Sequence, residues 1–157
     1  MEETKIKLYQ NQKAMEAFIG TPEKTSWYLS AFKKYDLNGI EKPCWYWSWA
    51  AFFLGPWYLL YRKCYLEGIA LLVVSAFLSS LEGSLYLIVN IVLGGFLPFV
   101  YYKRFKKTAL EVENIEPNFD KQIQMLEELG GVNKPLLYIG IGISVAFVLF
   151  IMLALGS

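Results

Sequence analysis

The chain has 157 residues; 55% are hydrophobic, 17% aromatic and 18% charged, and the net charge is +1. Soluble domains are typically about 45–50% apolar and about 25% charged, so this composition points away from an ordinary soluble globule. There is no histidine, which excludes Ser-His-Asp and Cys-His catalysis and histidine metal sites.

The charges fall in blocks. Residues 1–43 carry seven Lys/Arg and six Asp/Glu, and residues 44–102 carry only Arg62, Lys63, Glu67 and Glu82. Residues 103–134 carry six of each sign, and residues 135–157 none. This is the pattern of an all-α integral membrane protein with two polar segments. It divides the chain into an N-terminal cytoplasmic region (1–43), an aromatic segment with a transmembrane hairpin (44–107), a cytoplasmic helical linker (108–134) and a C-terminal transmembrane helix (135–157). The first residues lack an apolar core, so no cleavable signal peptide is expected.

Taken in chain order, residues 22–36 predict a short amphipathic helix, with Trp27, Tyr28, Ala31, Phe32 and Tyr35 at helical spacing. Such a helix lies on an anionic leaflet or packs on the rest of the protein, and both readings stand. Asn38-Gly39 marks a turn. Residues 44–65 hold four of the five tryptophans, Trp45, Trp47, Trp49 and Trp57. Gly55-Pro56 breaks this run, because the residue before proline is pushed out of the α region and proline lacks a donor. An interfacial or re-entrant segment, with Trp45, Trp47, Trp49, Trp57, Tyr61, Arg62 and Lys63 at the lipid interface, is preferred to a full span.

Residues 68–81 and 84–102 predict a helical hairpin, closed by the basic run from Lys103 and Arg104 to Lys107. Asn90 is its one strong polar group, expected to bond to a neighbouring helix at Ser75 or Ser79. Glu67 and Glu82 sit at the ends and read as interfacial. Residues 117–129 predict a surface helix, with Pro117 in its first turn and Gly130-Gly131 at its stop. Residues 135–157 are long enough to cross a hydrocarbon core of about 30 Å. Gly140, Gly142, Ser144 and Ala146 put small residues on one face of that helix, a face for close helix packing.

The in-plane reading places all basic residues on one side, which puts the N-terminus in the cytoplasm. Arg62 and Lys63 with Lys103 and Arg104 are candidates for holding an anionic lipid headgroup. Cys44 and Cys64 form no C-x-x-C pair and read as inert reduced thiols. No metal spacing, cofactor motif or nucleophile–base pair is evident, and the balanced charge argues against nucleic acid. The expected partners are the bilayer, an anionic lipid, and a protein partner or second copy. The functional reading is a non-enzymatic membrane interaction or assembly factor, with a small transporter or channel component and an anionic-lipid-binding protein as the alternatives.

The run W-S-W-A-A-F-F-L-G-P-W-Y-L-L-Y-R-K-C-Y, residues 47–65, resembles the signature of a bacterial family of small membrane proteins known as a domain of unknown function, the YigF-like group. Phe18-Ile19-Gly20, Trp27-Tyr28-Leu29 and Phe32-Lys33-Lys34 resemble its N-terminal stretch. Asn90-Ile91-Val92-Leu93-Gly94 and Tyr101-Tyr102-Lys103 resemble its hairpin end. The resemblance covers residues 18–107, with Ser48 in place of an asparagine. It implies a multi-pass protein of the bacterial inner membrane, and no activity.

Overall fold

The computed structural model describes residues 7–37, 39–79 and 83–155, with side chains for all of these except 79, 83–87, 144, 147, 148, 150, 151, 154 and 155. Eight helices and one two-stranded hairpin make up its regular structure, after a short turn of 3-10 helix at Leu8–Gln10.

Helix α1, Gln12–Ile19, was not legible in the sequence. Asn11 caps it by accepting from Lys13 N (2.9 Å), and Gln12 donates to Glu16 one turn later. Gly20 ends it with a left-handed φ of 57°. Helix α2, Pro22–Tyr35, has proline in its first turn and Lys33 and Lys34 in its last, where cations favour the dipole. Strands β1 (Asp36–Leu37) and β2 (Ile40–Glu41) flank the expected turn. Gly39 N donates to Asp36 Oδ1 there (2.7 Å); Asn38 lies outside the described residues.

The aromatic segment is broken as Gly55-Pro56 requires, into α3 (Trp49–Leu54) and α4 (Pro56–Tyr61). Gly55 adopts φ 51°, ψ −126°, a conformation closed to residues with a Cβ. Each piece is only six residues, because residues 45–48 are not helical and the second piece ends in a turn at 62–63.

Helix α5 is Tyr65–Ser79, and α6 is a single helix, Gly83–Ile115. The link at 80–82, Glu82 included, lies outside the described residues. The basic run at 103–107 does not end α6. Phe105 within it, then Ala109 and Val112 beyond it, recur at helical spacing and are fully buried, so packing carries the helix on. Helix α7, Phe119–Leu129, is capped by Asn118 rather than opened by Pro117, and Gly130 caps its end. Helix α8 is Lys134–Leu155. Among the described residues, no helix is long and apolar enough to cross a membrane. The chain is thus all-α in class, and its expected spans find no support in that criterion.

The core is aromatic. Phe18 of α1 and Phe32 of α2 meet Tyr101 and Phe105 of α6, with Phe32 stacked on Phe105 at 5.4 Å between centroids. Each such ring contributes about 1.5–3 kcal/mol by leaving water. Helix α7 closes the other side of α1, where Gly131 N donates to Phe18 O (2.7 Å) and Gly130 lies against the Phe18 backbone. So α2 is a packed helix. Its aromatic face covers α6, while Lys33 and Lys34 stay exposed.

Candidate functional site

The site is built on α6. A proline inside a helix has no N–H for the carbonyl four residues back. Pro98 stands four residues after Gly94, and the Gly94 oxygen instead accepts from Ser48 N (2.8 Å). Gly95 O accepts from Tyr46 N (3.1 Å). The extended residues 45–48 therefore dock on α6 by backbone hydrogen bonds. Both glycines are needed there: a Cβ on Gly95 would meet the Trp45 indole at 2.5 Å, and one on Gly94 the Trp47 ring at 3.1 Å. Ser48 then caps α3, its Oγ accepting from Ala51 N.

Helix α4 delivers Arg62 inward. Its guanidinium donates to Ile19 O (3.0 Å) and to Thr21 Oγ1 (3.3 Å), both at the α1–α2 junction. It lies over the rings of Tyr28 (4.3 Å), Tyr101 (5.2 Å) and Tyr61 (5.4 Å). Only 3% of Arg62 is exposed, and Nε has no hydrogen-bond partner among the described residues. Among the described residues no carboxylate pairs with it. Beside it the buried hydroxyls of Tyr28 and Tyr58 share a hydrogen bond of 2.9 Å. Burial lifts the Tyr28 phenol above its ordinary range, against the pull of Arg62, so it stays a neutral hydroxyl.

These groups form the inner end of a cleft of about 510 Å³ between α2, the docked strand, α4 and the start of α8. Trp27, Trp47, Trp49, Leu54 and Leu137 line it, and Glu23, Lys24 and Ala50 stand at its open end. The Trp47 indole Nε1 is buried without a partner among the described residues.

This arrangement corrects the sequence reading of Arg62. Arg62 was expected at the lipid boundary with Lys63; the fold buries it because aromatic faces and two oxygen acceptors surround it. Lys63 points the other way, with φ 59°, its Nζ donating to Glu128 O on α7 (3.1 Å). Lys103 is exposed and Arg104 half-buried, and they do not join Arg62 in one cluster. Trp45 and Trp49 are largely exposed, and Trp57 and Tyr61 half-buried. Asn90 is buried, with Oδ1 placed 3.2 Å from where a Gly55 Cβ would stand, so it faces the α3–α4 turn. Gly140 packs under Trp57, whose ring a Cβ would meet at 2.8 Å. A Cβ on Gly142 would meet nothing within 4 Å among the described residues and Ala146 is exposed, while the Ser144 side chain lies outside the described set. The expected small-residue face is therefore divided, one glycine packed and the next open.

Cys44 is half-buried, its Sγ near Lys34 O. Cys64 is fully buried; burial, then the nearby Glu67 charge, push its thiol up to about 12. Both are free thiols.

No curated protein and no solved structure matches the chain. A family model does match, over residues 3–96, and so takes in α1 to α5, the docked strand and the Gly94-Gly95 seat. The chain belongs to the family described as Protein of unknown function (DUF2628).

Proposed function

We propose that this protein is a non-enzymatic interaction or assembly factor held at the bacterial inner membrane with its N-terminus in the cytoplasm. The observation that carries the reading is the apolar surface of α5 and α8. Leu66, Ile69, Val73 and Phe77 of α5 are more than half exposed, as are Ile143, Leu149 and Leu153 of α8. Exposed apolar surface of this extent marks an interaction site, and lipid is the solvent that accepts it without specific contacts. The narrower YigF-like grouping rests on the aromatic signature at 47–65 and the shorter matching stretches on either side of it.

Alkaline carbonate extraction of cells expressing the full chain tests the reading. The chain is expected to stay with the membrane pellet. Release into the supernatant as a monodisperse, detergent-free protein overturns it.

A further inference from the structure

We propose that the aromatic cleft binds an anionic amphiphile, its head oxygens accepting from the unpartnered donors of Arg62 and Trp47 and its apolar chain lying along Trp27, Trp49 and Leu137. Three observations converge on this. First, among the described residues the buried Arg62 guanidinium has no carboxylate partner, and folds keep buried charges paired. Cation–π contacts and two neutral oxygens satisfy part of it, and Nε is left over. Second, Trp47 lines the same cleft, and its Nε1 is buried with no partner among the described residues. Two orphan donors ask for acceptor oxygens, which a carboxylate or phosphate supplies. Third, Trp27, Trp49, Leu54 and Leu137 make much of the remaining wall apolar, beside the tyrosines and Ser48, and about 510 Å³ is within the range of small-ligand sites. The lining carries two cations and one anion, so its net charge is positive. A cationic ligand of the same length would face Arg62.

The proposal stands apart from the membrane reading, since a chain released by carbonate would bind the same ligand in the same cleft. Carboxylate and phosphate heads arise from free acyl chains and from bilayer lipids alike, and the experiment separates them. The full chain in neutral detergent is mixed with laurate, with phosphatidylglycerol, with dodecyltrimethylammonium or with acetate, and adducts are read by native mass spectrometry. One laurate per chain is expected, with no adduct of dodecyltrimethylammonium or acetate. Retention of phosphatidylglycerol instead assigns the head to a bilayer lipid and equally supports an anionic site.

Ala50→Phe fills the open end from an exposed position and is expected to weaken retention at least tenfold with unchanged thermal melting. Trp49→Ala, also at an exposed residue, is expected to weaken it severalfold. Arg62→Ala abolishes retention if it folds; if it does not, the two rim variants decide. Equal retention of the ammonium analogue overturns the proposal. Retention of acetate as strong as that of laurate, or laurate binding untouched by both rim variants, does so as well.

Discussion

Helices α2 and α5 have nearly the same length, 14 and 15 residues, and opposite relations to their surroundings. Helix α2 is rich in Lys, Glu, Ser and Thr, yet it buries Tyr28, Ala31, Phe32 and Tyr35 almost completely. Helix α5 is apolar nearly throughout, yet Gly68 is its one buried residue among those described. The difference lies in periodicity. An apolar stripe with polar flanks has a single way to face a core, whereas a helix apolar all round specifies no face. The core of this protein is therefore found where the sequence is mixed, and its most apolar segments lie outside it.

The sharpest way to break this contrast is a pair of ring deletions. Phe32→Ala in α2 is expected to cost about 4 kcal/mol, because it empties a site where three α6 rings converge. Phe77→Ala in α5, whose ring is two-thirds exposed, is expected to cost about 1 kcal/mol or less. Denaturant titration of the full chain in one detergent reads both; equal losses would dissolve the distinction between the two regions.

A second pair uses glycines. A methyl on Gly130 would run into the Phe18 backbone, which cannot turn aside, so Gly130→Ala is expected to cost about 3 kcal/mol by separating α1 from α7. Gly142→Ala in α8 meets nothing and is expected to stabilise its helix by about 0.5–1 kcal/mol. Thermal melting of the two variants is the check, and a destabilised Gly142 variant would mean that α8 has a partner on that face.

Arg62→Lys keeps the charge and loses the planar fork that serves Ile19 O, Thr21 and three tyrosine faces together. It is expected to cost about 2 kcal/mol, measured by the same denaturant titration. No loss would mean that charge alone matters at this position.

The smallest expected effects concern the two thiols. Cys44 is expected to react with maleimide at pH 7.5 well ahead of Cys64, at least tenfold, and the rates should converge in denaturant. The fold keeps the neutral Cys64 thiol, so the unfolded chain ionises first. Stability from this group is intact below the ordinary thiol range and falls as pH climbs from there towards about 12. A melting temperature that rises over that interval would contradict the burial of Cys64.

Much of this was legible in the sequence. The Gly55-Pro56 break, the amphipathic spacing of α2, and α7 with its glycine stop are local, and local chemistry sets them. Helix α1 was missed although Asn11, the Gln12–Glu16 pair and Gly20 bracket it, because its apolar face is short. The end of α6 was misplaced because the basic residues at 103–107 were read as a border; the repeat of Phe105, Ala109 and Val112, which starts within that run and continues past it, was the available signal. The cleft was out of reach for a different reason. Arg62 is buried by Ile19, Thr21, Tyr28 and Tyr101, residues about 35–45 positions away on either side, and no spacing rule joins them. A lone arginine at the end of a tyrosine-rich run was the clue.

The Pro98 carbonyl exchange also bears on the order in which the chain assembles. Synthesis makes the tryptophan strand some fifty residues before the Gly94-Gly95 surface that receives it. The strand and all that it positions, the cleft included, must wait as an exposed indole-rich segment until α6 has formed. During that interval the emerging chain is at its most adhesive, and the helix that ends the wait carries its own docking site in a proline.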